Sequence, residues 1–208
     1  MHPLLNTYQE MYFLILAPPM KRAKSYKKNI FCLEGDWQRD LRDKSSIYAA
    51  LVFLHSNVDV KYIYKQCGTR QNLQYYISEW KQKKYDAYSI GYLAFHGEAG
   101  SIQVGSKFVS LDELANMMED TCQGRIIHFG SCKTLDTDDQ TIIRFLEKTK
   151  AICVCGYKKD IDFVESSVFD MLLIEMFQKY KNIANVQKDV DHFYKALAKK
   201  LEFKLVHL

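Results

Sequence analysis

Two short stretches carry residue types that can do covalent chemistry: Phe95-His96-Gly97 and Phe129-Gly130-Ser131-Cys132. A thiol beside an imidazole makes an activated nucleophile, because the ring takes the thiol proton and the thiolate attacks an electrophilic carbon. Glycines flanking such a pair let a substrate carbonyl approach backbone N–H groups. Taken singly, a cysteine after a strand is ordinarily a buried thiol and a histidine a satisfied structural residue. Both residues, however, follow apolar runs, 88–95 and 125–129, that read as strands. In an open parallel sheet, functional groups collect just beyond the carboxyl ends of the strands. If those two strands are neighbours, thiol and imidazole face each other across one edge.

The elements that must position the pair follow from periodicity. Residues 30–33 form a short apolar strand ending in the loop Glu34-Gly35-Asp36-Trp37. Ser45 or Ser46 is placed to cap a helix through His55, and 58–64 alternates as a second strand. Leu73, Tyr76, Ile77 and Trp80 stand at helical spacing within 69–84. After the strand 88–95 comes a hairpin, 101–104 and 107–109, turning at Gly105-Ser106. Ser110 and Glu113 then have the spacing of a capping box. A helix over 136–148, a strand over 151–155 and helices over 163–180 and 186–201 complete the chain. Strands alternating with crossover helices predict a doubly wound, mostly parallel sheet covered by helices on both faces. Residues 1–28 show no sustained period and read as an N-terminal arm, with one domain over 29–208.

Composition narrows the partners. Lys and Arg total 29 against 25 for Asp and Glu, and this excess of four is too small for a dedicated nucleic-acid binder. The apolar run 11–17 is far short of the roughly 20 residues a membrane span needs. Its positive charges, Lys21 to Lys28, follow it rather than precede it, so a signal peptide is not expected either. Six cysteines without secretory features predict free thiols in a reducing cytoplasm. Cys153-x-Cys155 with Cys132, Cys122 and His128 invites a zinc site, but structural zinc favours C-x₂₋₄-C knuckles, whereas these two cysteines sit at strand spacing. His128, inside a strand, reads as a core residue. No metal or cofactor is expected.

The order apolar strand, His-Gly, hairpin, short helix, apolar strand, small residue and Cys resembles the caspase-like clan of cysteine proteases. The chain is most similar to the bacterial CHAT domains of that clan. The likeness is carried by 92–118 (YLAFHGEAGSIQVGSKFVSLDELANMM), 125–134 (RIIHFGSCKT) and 145–177 (FLEKTKAICVCGYKKDIDFVESSVFDMLLIEMF), and covers roughly residues 30 to 180. The caspase pentapeptide is absent, and Cys132 is followed by Lys133-Thr134 rather than a glycine. The resemblance implies a caspase-like fold and a cysteine endopeptidase acting on proteins or peptides through His96 and Cys132, with the amides of Gly97 and Cys132 for the oxyanion. It implies a role as a bacterial stress or defence effector with a regulatory protein partner. The alternative is a non-catalytic interaction module on the same fold. Asp36 after the first strand, and Asp160 and Asp162 after the fifth, are the candidate substrate-binding acids, which would favour a basic side chain before the cut.

Overall fold

The computed structural model describes residues 26–38, 40 and 42–207. Its centre is a six-stranded sheet in the order β2-β1-β3-β7-β8-β9. The strands are β1 (Ile30–Glu34), β2 (Tyr62–Gln66), β3 (Ile90–Ala94), β7 (Ile126–Phe129), β8 (Cys153–Tyr157) and β9 (Phe203–His207). All neighbours pair in parallel except β8 with β9. A small antiparallel sheet, β4 (His96–Glu98), β5 (Ser101–Val104) and β6 (Lys107–Ser110), stands beyond the end of β3. The α/β, mostly parallel architecture expected from the sequence is present.

The period of two sorts the central strands between two cores. Phe31, Leu33, Leu93, Ile127 and Phe129 face α2 (Arg70–Trp80), α3 (Leu111–Met117) and α4 (Asp139–Thr149). Ile30, Cys32, Tyr92, Cys153 and Cys155 face α1 (Tyr48–Val58), α5 (Phe163–Lys179) and α6 (Ile183–Phe193). With both faces covered, β1, β3, β7 and β8 are buried along their whole length, which is why they read as unbroken apolar runs. The Ser110–Glu113 capping box forms as its spacing predicts.

Chain direction sets where a site can form. From β1 the chain crosses by α1 to β2 on one side; from β3 it proceeds to β7 on the other. The topological switch point therefore lies between the carboxyl ends of β1 and β3, where a crevice opens. Trp37 follows the first of these ends and His96 the second.

Four details differ from the sequence expectations. Helix α1 runs on to Val58 and ends at left-handed Asp59 (φ 57°), so the second strand begins only at Tyr62. The capping position of α1 is Ile47, one residue later than expected, while Ser46 Oγ accepts from the Tyr48 amide and donates to the Glu34 carboxylate. The helix expected over 186–201 is two, α6 and α7 (Lys195–Lys200), separated at Tyr194. Strand β9 was hidden because a half-exposed edge strand alternates too weakly to stand out. The expected arm, 1–28, lies outside the described residues except for 26–28. Tyr26 N–H donates to the Gln178 carbonyl, and Lys28 Nζ donates to the carbonyls of Phe177 and Tyr180 at the end of α5. Among the described residues no helix is long and apolar enough to cross a membrane.

Candidate active site

Strands β3 and β7 are neighbours, in register from Ile90↔Ile126 to Leu93↔Phe129. His96 and Cys132 therefore emerge at the same edge of the sheet, and both line one cavity of about 400 Å³. The two loops touch. A side chain at Gly97 would overlap the Cys132 carbonyl oxygen and come within 2.5 Å of Thr134 Oγ1, so only glycine fits beside the histidine. The buried Thr134 hydroxyl lies 3.0 Å from Ser131 Oγ and 3.1 Å from the Ser101 carbonyl, tying the small sheet to the cysteine loop.

The turn that presents Cys132 is strained. Lys133 holds φ at 51°, in the left-handed region that a residue with a side chain enters at a cost of about 1 kcal/mol or more. Three bonds hold it there: Lys133 N–H to the Lys159 carbonyl at 3.1 Å, Asp136 N–H to the Lys133 carbonyl at 2.7 Å, and Lys133 Nζ to Asp160 at 2.7 Å. Gly130 is a glycine because the Tyr92 ring passes directly beneath it. The Cys132 thiol is partly exposed and accepts from the Ile161 N–H at 3.5 Å.

His96 is exposed, yet its ring is fixed. Its Nε2 lies 2.6 Å from the Trp37 carbonyl oxygen. An oxygen with no proton can only accept there, so Nε2 carries the hydrogen and Nδ1 is left as the base. The Trp37 indole meets the imidazole edge-on at 5.4 Å and Phe163 at 5.2 Å. A backbone carbonyl thus orients the ring, and a backbone group leaves no trace in the residue type.

The proposed acids scatter. Asp36 lines a broad depression of about 1090 Å³ beside His96, with Asp40 and Asp43. Asp160 is paired with Lys133. Asp162 caps α5, accepting from the amides of Val164 and Glu165 at 2.9 Å each, so its carboxylate is engaged with the helix end. The acid that does line the cavity of His96 and Cys132 is Asp170, which sequence reasoning missed. Its signal was a lone charge on the apolar stretch of α5, and its residue is only 2% exposed. Tyr92 donates to its Oδ2 at 2.5 Å, and Tyr157 donates to its Oδ1.

A second thiol–imidazole pair lies below. His128 is wholly buried, with Nδ1 3.3 Å from Cys155 Sγ and Nε2 2.8 Å from Asp170 Oδ1. The latter contact is off the hydrogen-bonding axis and leaves Nε2 without a hydrogen-bond partner. The thiols imagined around zinc are divided by the sheet: Cys153 and Cys155 belong to the core facing α5, Cys122 to the opposite one. Among the described residues no group of His, Cys, Asp and Glu is arranged to hold a metal ion.

Fold and site together define an α/β protein with a mostly parallel sheet and a thiol–imidazole pair beside its topological switch point. The chain belongs to a family of unknown function, DUF6642, whose model matches residues 27–207. No curated protein matches it.

Proposed function

We propose that this chain is a cysteine endopeptidase of the caspase-like arrangement, with Cys132 as nucleophile and His96 as general base and acid. The observation that carries the reading is the common cavity of His96 and Cys132, with Nε2 of the imidazole held on the Trp37 carbonyl. In the first half-reaction the Cys132 proton passes to His96 Nδ1, and the sulfur attacks the scissile carbonyl carbon. The amides of Gly97 and Cys132 are the donors for the oxyanion. The C–N bond then breaks as the imidazolium returns its proton to the leaving amine. Water, deprotonated by His96, attacks the thioester, releasing the acid product and restoring the thiol.

The cavity that His96 and Cys132 share has room for a peptide side chain, with Trp37, Phe163, Tyr92 and Asp170 among its walls. We propose a preference for Lys or Arg before the cut, because carboxylates beside the dyad favour a cation and repel an acid. Asp36, exposed on the depression next to His96, supports it; Asp160, Asp162 and Asp170 are engaged by Lys133, by the end of α5 and by two tyrosine hydroxyls.

The test is labelling with peptidyl acyloxymethyl ketones. The expected result is one adduct on Cys132, lost in both Cys132→Ala and His96→Ala, and formed faster with Arg than with Leu next to the warhead. Labelling that survives His96→Ala unchanged would leave the interaction-module reading in its place.

A further inference from the structure

We infer that Glu34 is a positioning residue for the dyad, acting on His96 through Trp37. The inference rests on the peptidase reading above and concerns how its base is held.

Glu34 is the last residue of β1, and it is 2% exposed. A carboxylate in such a place must be surrounded by donors, and this one is filled on both oxygens. Oε1 accepts from the Trp37 indole Nε1–H at 2.5 Å and from the Ile47 amide at 2.7 Å. Oε2 accepts from the hydroxyls of Ser46 and Tyr64, both at 2.6 Å. The donors come from the loop after β1, the start of α1 and the edge strand β2. One carboxylate thus clasps both ends of the segment between β1 and α1, where it borders the depression beside His96.

Trp37 is the residue through which that clasp reaches the chemistry. Its indole nitrogen is tied to Glu34, its ring lies against His96 and Phe163, and its carbonyl oxygen stands 2.6 Å from His96 Nε2. A loop carbonyl orients an imidazole only if the loop is itself held. Here the hold is the buried charge, applied to the same residue that offers the carbonyl. Without it, Trp37 loses its tether, and the imidazole loses the fixed carbonyl that holds its Nε2.

The experiment is the pH profile of Cys132 alkylation by iodoacetamide, which needs no knowledge of the substrate. In the wild type, the part of the rate that His96→Ala removes is the contribution of the oriented base. Glu34→Gln keeps the shape of the side chain but turns an amide toward two donors, and it leaves Asp36, Asp40 and Asp43 near His96 unchanged. It is expected to fold and to reduce the His96-dependent limb about tenfold or more. Trp37→Phe, which cuts only the indole tether and keeps the carboxylate's other three donors, should reduce it in the same direction. Ser46→Ala, which removes a donor that does not lead to His96, should leave the limb in place. A folded Glu34→Gln with the wild-type limb would overturn the inference. If Glu34→Gln does not fold, an unchanged limb in Trp37→Phe overturns it. A limb lost equally in Ser46→Ala would make Glu34 merely structural and overturn it too. If His96→Ala itself leaves the profile unchanged, the dyad reading fails, and that outcome is distinct from the others.

Discussion

The molecule holds two thiol–imidazole pairs, and the better-built one is the less suited to catalysis. Cys155 and His128 lie 3.3 Å apart with Asp170 2.8 Å beyond the ring, a sequence of groups that on paper reads as a triad. The thiol and the imidazole are sealed between the sheet and α5, and only Asp170 borders the outer cavity. Burial, together with hydrogen bonding and charge from Cys153, raises the Cys155 thiol well above its ordinary range, so it holds its proton and stays inert. Cys132 and His96 instead line a shared cavity, the thiol partly exposed and the ring's tautomer set by a backbone oxygen. The difference teaches that contact between thiol and imidazole does not make a nucleophile. Access and a defined tautomer do, and both depend on where the strand ends.

The comparison breaks most visibly in activity. Cys132→Ala should abolish peptidase turnover while leaving the fold intact, since a part-exposed loop thiol contributes little packing. Cys155→Ala should keep turnover. Turnover that survives the first substitution and fails in a folded form of the second would reverse the two assignments. Next in size is Asp170→Ala, which leaves two buried tyrosine hydroxyls without their acceptor. Denaturant unfolding should register a loss of about 3 kcal/mol or more, the range for a broken buried network. A loss below about 1 kcal/mol, the scale of a surface change, would mean the network is solvated and the inner pair reachable.

Smaller again are the buried thiols themselves. Cys153→Ala and Cys155→Ala should each cost about 1 kcal/mol or more through the cavity left behind, read from denaturant midpoints at unchanged slope. Cys132→Ala measured alongside should cost less than either. The last effect is silent at neutral pH. Desolvation first, then the Asp170 charge, raises the hydroxyls of Tyr92 and Tyr157 well above the ordinary tyrosine value of 10.0. The folded chain therefore keeps protons that the unfolded chain gives up near pH 10, so this contribution is complete below that value and falls as pH rises above it. Unfolding midpoints that hold steady into strongly alkaline solution, with tyrosinate absorbance appearing in the folded protein, would contradict the burial of that network.

The sequence by itself determined the layered α/β architecture, because strands covered on both faces must be apolar throughout and crossover helices must be amphipathic. Runs such as 88–95 and 125–129 state that directly, and the positions of His96 and Cys132 after them follow from it. It also determined the Ser110–Glu113 cap, where donor and acceptor are three residues apart and no distant element takes part. What depends on long-range geometry was not legible. Ser46 looks like a helix cap, and its oxygen does accept from the first amide of α1, but only the fold shows that its proton goes to Glu34. Asp160 and Asp162 look like pocket acids, but the first meets Lys133 across a folded loop and the second faces the amides of its own helix. Asp170 is far along the chain from Glu34 and Trp37, and these residues acquire their parts only when the strand ends and α5 come together. Tertiary structure alone decided what each histidine touches, Cys155 and Asp170 for His128 and the Trp37 carbonyl for His96, because residue type specifies what a group can do and packing specifies what it meets.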